Sequence, residues 1–458
     1  MEEKGNKVMN IIINGAGKIG RSVAEHLSGE GHNITVIDTN PKVIEEVVND
    51  YDVRGIFGNG AVLSVLKEAD ADKADLLISV TPSDELNVMC CLVAKRIGTK
   101  QTIARVRTPE YSQQIYMMRE ELGLSMSVNP DLDAALEIGR ILRFPSAVKV
   151  DSFANGKVDL VEIRLDENSP LIGKSLLDLH ERYQIRVLVC AVCRGDEVFI
   201  PKGDFELQAK DEVYITASPT EITKLFKKLN ILKEKTRNVM IIGGSRIAYY
   251  LTDELEELGI NVKIVERDAA RCNFLSEKLS NALIINADGT DPKSLMEEGL
   301  DKMDALISLT GFDEENIIIA MNGKEKGVGT IIAKVNNNSY SNILDKVGIE
   351  SVITPKDITT SHIIRYVRGM ESSEGSEFRT LYRLVDNKVE ALEFYIPFET
   401  NYTNIPLKDL KTKNNMLLAC IIRNNQVIIP NGNDSIQPLD TVIIVTTTPI
   451  KDVEDILR

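Results

Sequence analysis

A doubly wound α/β fold, present twice in tandem and each time followed by a small α+β domain, is what the sequence predicts. Three observations predict it. Apolar strand-like runs alternate with amphipathic helical runs through the first ~145 residues, the pattern of a parallel sheet covered by helices on both faces. A glycine-rich turn joins the first strand to the first helix. The chain also repeats itself. NITVIDTN near residue 33 returns as NVKIVERD near 261, ISVTPSDELN near 78 as ISLTGFDEEN near 307, and IPKGDFELQAKDEVYIT near 200 as IPNGNDSIQPLDTVIIVT near 429. Asp38 and Glu266 stand 228 residues apart, Thr81 and Thr310 229, Asp211 and Asp440 229. A constant offset means duplication of a multi-domain unit, since solenoid repeats run only ~20–50 residues.

The elements follow in order. VMNIIING is an apolar strand running into the glycine turn, and KIGRSVAEHLSGEG a helix closed by glycine. NITVIDTN is a strand, PKVIEEVVNDY a helix opened by proline, and RGIFGNG a strand. VLSVLKEADADKA is a helix, DLLISVT a strand, DELNVMCCLVAKRIG a helix, and QTIARVR the final strand. NPDLDAALEIGRILRFPSA then reads as a helix capped around Asn129 and Pro130 and ended before Pro145. From about 150 to 232, VDLVEIRL, RVLVCAV, EVFIP and EVYITA are short strands between turn signals. TRNVMIIGG restarts the first pattern near 237, and a strand-rich piece closes the chain from about 376. The expected domains are residues 1–145, 146–232, 233–375 and 376–458.

Composition sets bounds on function. Of 458 residues, 43% are apolar and 27% charged, the balance of a folded chain rather than a disordered one. A net charge of −15 repels phosphate backbones, so nucleic acid is not an expected partner. No stretch reaches the ~18 apolar residues that span a bilayer. The start, MEEKGNKVMNIIINGAG, does not read as a signal peptide, because its apolar segment is short and broken by Asn10. A cytoplasmic location is expected unless a partner holds the chain at a membrane.

Neither cysteine nor histidine forms an expected metal site. Cys190 and Cys193 make a C-x-x-C, but in a strand where positions i and i+3 point to opposite faces, so core packing is expected. Cys90, Cys91, Cys272 and Cys420 are not expected to form disulfides in a reducing compartment. His26, His32, His180 and His362 are not spaced as metal pairs and read as surface or packing residues.

Gly15-Ala16-Gly17-Lys18-Ile19-Gly20 is the key motif. It follows a strand and opens a helix, where glycines permit a tight turn and let a pyrophosphate approach the helix N-terminus. Asp38 stands eighteen residues past Gly20, at the end of the next strand, placed to accept hydrogen bonds from ribose hydroxyls. The expected ligand is a dinucleotide or an adenine nucleotide; the alternative is a turn that only packs helix on sheet. Asn59 within Gly58-Asn59-Gly60, Thr81-Pro82 and Arg105 end other strands and should border the same crevice. Asn59 is placed to bond a base edge, and Arg105 to neutralise phosphate or stack; the alternatives are turn chemistry and a solvated charge.

GAGKIG, VIDTN, GNGA, KEADADKADLLISVTPSDELN and IARVR, in this order and spacing, resemble the regulatory subunits of Trk-type potassium uptake systems. In that family each half carries an RCK (KTN) nucleotide-binding domain of Rossmann type followed by a small C-terminal RCK domain. The resemblance spans essentially the whole chain. It implies nucleotide contacts from Gly15, Ala16, Gly17, Lys18, Ile19, Asp38, Thr81, Pro82 and Arg105, with NAD(H), ATP or ADP as ligand. It implies a regulatory role, not an enzymatic one, in gating a separate potassium-translocating membrane subunit from the inner face of the membrane. It implies too a ring of commonly eight nucleotide-binding domains, hence four chains.

The second copy departs from the motif. Gly243, Gly244, Ser245, Arg246 and Ile247 replace Gly15 to Ile19, with Ala248 at Gly20. Ser245 puts a side chain where backbone should approach phosphate, so weaker NAD binding or a mononucleotide preference is expected there. Arg246 is placed to reach phosphate or to remain solvated. Glu266 keeps the carboxylate on a longer arm, and Asp288, Thr310 and Lys334 replace Asn59, Thr81 and Arg105. Two other functions compete. A free-standing nucleotide sensor for another partner would not co-purify with membranes. An NAD-dependent dehydrogenase needs a proton donor beside the nicotinamide, and the small domains offer no such constellation.

Overall fold

The structure is a computed structural model that describes residues 8–119, 121–143, 149–153, 158–167, 169–183, 185–195, 197–229, 236–340, 344, 347–349, 351–371, 377–384, 388–413, 415–424, 426–448, 450 and 452–457. The domain junctions expected near 145, 232 and 375, and Pro145 itself, lie outside the described residues.

The first sheet holds β1 (Asn10–Asn14), β2 (Asn33–Asp38), β3 (Arg54–Phe57), β4 (Leu76–Ser79), β5 (Gln101–Arg105) and β6 (Met126–Val128). Its helices are α1 (Lys18–Gly29), α2 (Pro41–Asp50), α3 (Leu63–Glu68), α4 (Asp84–Ile97), α5 (Pro109–Met117) and α6 (Pro130–Arg143). All strands pair in parallel in the order β3-β2-β1-β4-β5-β6. Strand order reverses between β1 and β4, which opens a crevice at their carboxyl ends. β1 and β4 are apolar and buried along nearly their full length, as a strand covered on both faces must be. α1 turns Ile19, Val23, Ala24 and Leu27 inward at helical spacing. Between the expected final strand and α6 the structure adds two elements missed in the sequence, α5 and β6, the latter too short at three residues to show a period.

Residues 149–229 contribute a smaller antiparallel sheet. β7 (Lys149–Phe153), β8 (Val158–Arg164), β9 (Leu188–Arg194), β10 (Glu197–Phe199) and β11 (Glu212–Ala217) pair in the order β10-β9-β11-β8-β7, with α7 (Leu176–Tyr183) and α8 (Pro219–Leu229). The second copy repeats both sheets. β12 (Asn238–Ile242), β13 (Asn261–Glu266), β14 (Leu283–Asn286), β15 (Ala305–Ser308), β16 (Thr330–Lys334) and β17 (Ser351–Ile353) take the order β14-β13-β12-β15-β16-β17. Their helices are α9 (Arg246–Glu257), α10 (Ala269–Lys278), α11 (Pro292–Glu297), α12 (Asp313–Glu325) and α13 (Pro355–Glu371). β18 (Glu377–Leu384), β19 (Val389–Tyr395), β20 (Met416–Arg423), β21 (Gln426–Ile428) and β22 (Thr441–Thr446) form the last sheet, in the order β18-β19-β22-β20-β21.

The chain divides into two compact units. One combines both parallel sheets, residues 1–139 and 236–364; the other combines both antiparallel sheets, residues 140–235 and 365–458. In the second unit the two small sheets share one apolar cluster, with Leu160, Cys190 and Tyr214 from one copy and Ala391, Cys420 and Val445 from the other.

That cluster corrects the reading of the C-x-x-C. Pairing of β9 with β11 steps from Ala191 opposite Tyr214 to Val189 opposite Ile215, a bulge that skips Cys190. The extra residue breaks the alternation. Cys190 and Cys193 therefore lie in the same buried cluster rather than on opposite faces. Neither is in a disulfide, and burial pushes the Cys190 thiol well above its ordinary value. Among the described residues no group of three or more His, Cys, Asp or Glu is arranged to hold a metal, and no helix is long and apolar enough to cross a membrane. His32 is buried with its Nδ1 3.4 Å from the Met9 amide, and His362 pairs with Asp133 at 3.2 Å. The side chain of His180 lies outside the described residues.

Candidate functional site

In the first copy the crevice is built by backbone amides and one carboxylate. Gly15 adopts φ +100°, and a Cβ there would lie 2.9 Å from the Thr81 amide nitrogen. A Cβ on Gly20 would lie 1.9 Å from the Gly15 carbonyl oxygen, so glycine lets α1 start directly against the turn. Asp38 braces this turn. Its Oδ2 accepts from the Ala16 amide at 2.8 Å and its Oδ1 from the Asn40 amide at 2.9 Å. Each oxygen keeps a lone pair for a ribose hydroxyl.

Gly17 is the N-cap of α1 and supplies no side-chain cap. Its φ of −71° suits any residue, and nothing lies within 4 Å of where its Cβ would be. The first turn of α1 thus carries no side-chain cap, and such a helix start can take an anion to complete the hydrogen bonding of its amides. Lys18 and Gly17 are exposed at this mouth, while Ile19 turns its side chain into the core and offers only backbone.

The other expected residues also border the crevice, with much of their bonding committed to the protein. Asn59 Oδ1 accepts from the Ala61 amide at 2.9 Å, closing its own turn. Arg105 donates to the Thr81 carbonyl. Burial and neighbouring Arg107 press its pKa down, although a guanidinium stays protonated at neutral pH. Arg107 Nη2 donates to the Pro82 carbonyl at 2.8 Å.

Two buried residues missed in the sequence join these strand ends. Asn87 Oδ1 accepts from the Thr81 amide at 2.8 Å and the Thr81 hydroxyl at 2.7 Å, and its Nδ2 donates to the Arg105 carbonyl at 3.0 Å. Asp84 Oδ2 accepts from the Arg107 and Thr108 amides at 2.9 and 2.8 Å. The second copy repeats the device. Asn316 bonds the Thr310 amide at 2.8 Å and the Lys334 carbonyl at 2.9 Å, and Asp313 accepts from the Asn336 and Asn337 amides at 2.9 and 3.0 Å. The signal was the shared D-E-x-N of the two repeats, which tie a strand end to the next strand's turn.

The second crevice has the same frame and a different lining. Gly243 adopts φ +99°, and Glu266 accepts from the Gly244 and Asp268 amides at 2.7 and 2.8 Å. Ser245 keeps the backbone of Gly17, with φ −66°, but its hydroxyl accepts from the Ala248 amide at 3.3 Å. One amide that α1 leaves open is therefore capped in α9. Asp288 bonds the Thr290 amide and hydroxyl at 2.9 and 2.7 Å, and these bonds hold its carboxyl below the usual range. Lys334 donates to the Thr310 carbonyl at 2.5 Å, and burial lowers its pKa. A cleft of about 420 Å³ runs along Gly244, Glu266, Arg271, Asp288 and Thr310, within the size range of nucleotide-sized sites.

Arg246 does not point into this cleft as a lone cation. Its Nε bonds Asp131 of the first copy at 2.8 Å. Tyr250, one turn further along α9, donates to the Arg107 carbonyl at 3.0 Å and accepts from Asn129 at 3.0 Å. Hence α9 of the second copy is fastened to the strand ends that border the first crevice. At the matching place in the first copy, Lys18 replaces Arg246 and Ser22 replaces Tyr250, so the fastening is one-sided.

The site and fold agree with what this chain is similar to. A family model described as TrkA-N domain matches residues 11–130 and again 239–355, and one described as TrkA-C domain matches residues 160–230. The Trk system potassium uptake protein TrkA homolog of Archaeoglobus fulgidus is 31% identical over 451 residues, covering 98% of this chain and 100% of that protein. The Trk system potassium uptake protein TrkA of Vibrio alginolyticus is 31% identical over 456 residues, covering 98% and 99%. The crystal structure of the GsuK RCK domain shares the fold, with a TM-score of 0.64 at 16% identity, covering 98% of this chain and 94% of that one. With one family model matched twice across more than half the chain and relatives aligned from end to end, the chain belongs to the TrkA family of Trk-system potassium uptake proteins.

Proposed function

We propose that this chain is a nucleotide-binding regulatory subunit that gates a separate potassium-translocating membrane protein, taking NAD(H) in its first crevice with ATP or ADP as competitors. The observation that carries the nucleotide reading is the first crevice itself: an uncapped helix N-terminus beside a glycine turn, braced by a carboxylate at the ribose position. Two solved proteins of the same fold support the ligand class, a GsuK channel bound to NAD at a TM-score of 0.64 and GsuK bound to ADP at 0.51. The named relatives support the potassium-uptake role. Regulation rather than catalysis suits the crevice, because Arg105 and Asn87 there hold strand ends together. Association at the inner face of the membrane would come through the partner. Co-purification of the chain with a potassium-translocating protein from membranes tests this role; recovery only in the soluble fraction, with and without NAD, overturns it.

Asp38→Ala should weaken NAD binding by about 1.5–3 kcal/mol, the scale of a hydrogen bond to a charged group. The change removes a ribose acceptor and also frees the Ala16 amide that shapes the turn. Calorimetry on the full chain checks it, and unchanged affinity would take Asp38 out of the site. NADP should bind poorly in this crevice, since a carboxylate repels a 2′-phosphate.

Assembly would supply the mechanical link. Four chains in a closed ring would bring eight nucleotide-binding domains together, and closed symmetric assemblies are the usual solution for soluble oligomers. A nucleotide that fits one ring shape better than another shifts the population by its differential affinity and no more. Light scattering should give a tetramer. A monomer at micromolar concentration, with and without NAD, would exclude the ring.

A further inference from the structure

The two crevices differ most at the ribose rim. The residue after the bracing carboxylate is Thr39 in the first copy and Arg267 in the second, and four positions further on Val43 becomes Arg271. Both arginines line the second cleft. In a doubly wound site this rim faces the ribose 2′ position, where a nearby arginine accommodates a 2′-phosphate.

The neighbouring groups leave these arginines available. Arg271 Nε donates to the Gly244 carbonyl at 2.5 Å, and its guanidinium lies 4.8 Å from the Phe274 ring centre. This fixes the plane while its terminal nitrogens have no hydrogen-bond partner among the described residues. Arg267 is exposed and meets Glu315 only at 4.0 Å, a contact that costs little to give up. Glu266 makes the same two amide bonds as Asp38 and repels a 2′-phosphate as Asp38 does. Thr39 and Val43 leave that charge unanswered in the first copy, whereas Arg267 and Arg271 flank it in the second. Asp268 is committed to the first amides of α10 at 2.8 and 3.1 Å, and Asp288 to Thr290. Arg246 is tied to Asp131, so the 5′-phosphate end gains less charge than the ribose end.

We infer that the second crevice takes an adenine nucleotide carrying a 2′-phosphate on its ribose, held by Arg267 and Arg271, while the first takes the form without it. This deepens the proposed function and rests on its nucleotide reading. The chain would then sense two nucleotide pools at once.

Calorimetry on the full chain, with NADP and adenosine 2′,5′-bisphosphate against NAD and adenosine 5′-phosphate, tests the inference. The 2′-phosphorylated probes should bind at least about tenfold more tightly in the second crevice than their counterparts, the scale of charge-assisted bonds to phosphate. The double substitution Arg267→Thr with Arg271→Val, which installs the first copy's residues, should abolish that preference and leave NAD binding in the first crevice unchanged. Arg267→Thr alone, on an exposed side chain, keeps the test open where the double variant unfolds, and should lower the preference severalfold. NAD binding without any 2′-phosphate preference, or a preference that survives the substitutions, would overturn the inference and leave the nucleotide reading standing. Failure of all four probes would overturn both.

Discussion

Gly15→Ala should destabilise the unit that carries the parallel sheets by about 2–5 kcal/mol and remove NAD binding from the first crevice. Two costs add. At φ +100° an L-residue pays at least the ~1–2 kcal/mol of left-handed backbone. The new Cβ would also sit 2.9 Å from the Thr81 amide nitrogen and 3.1 Å from the Val80 carbonyl carbon. Both are backbone atoms at the end of β4, so relief requires the strand end to move, an overpacking cost of about 1–3 kcal/mol. The movement would carry Thr81 away from Asn87 and loosen the crevice floor. Gly17→Ala is the control. Its φ is ordinary and its Cβ would meet nothing within 4 Å, so stability should change by less than about 1 kcal/mol. Denaturant unfolding followed with calorimetric NAD titration separates the two, and a Gly15→Ala protein as stable as the parent would sink the argument.

Asp211→Ala should cost about 2–4 kcal/mol and act on the other unit alone, with no loss of nucleotide affinity. Asp211 is fully buried and accepts from Arg194 Nε and Nη2 at 2.8 Å each, and from the Gln208 amide at 2.8 Å. Removing it strands a guanidinium and an amide at once, and breaking a buried pair from one side costs about 3–5 kcal/mol. Arg194 keeps 30% of its side chain in solvent, which lowers the expectation by about 1 kcal/mol relative to that range. The second copy holds the same arrangement in Asp440, bonded by Arg423 Nε and Nη2 at 2.8 and 2.7 Å and by the Gln437 amide at 2.7 Å, so Asp440→Ala should match it. An unchanged unfolding midpoint in either variant would remove the pair from the stability of its domain.

Much of this was legible because it is local or periodic. The glycine turn, the carboxylate eighteen residues past Gly20 and the strand–helix alternation each depend on a few neighbouring residues, and the structure has them in the expected places. The third repeated segment was legible as a repeat but not as a reason; Asp211 and Asp440 supply it, each anchoring the turn before its strand. Asn87 and Asp84 went unread because polar residues on a helix look solvated until the fold shows what they face. Their bonds to Arg105, Arg107 and Thr108 reach across 18 to 24 residues of chain.

The sequence by itself determined the duplication, the fold class of each copy and the glycine turn with its bracing carboxylate. Those follow from periodicity, turn chemistry and a constant offset. Only the tertiary structure decided that the domains group by kind, parallel sheets in one unit and antiparallel sheets in the other. It decided also that Cys190 joins the face of Cys193, because one bulged residue inverts the alternation on which any strand reading rests. And it decided that Arg246 meets Asp131, 115 residues away, while Arg271 stays at the cleft. A charge goes where the nearest opposite charge is held, and that distance is set by long-range packing, which no local pattern encodes.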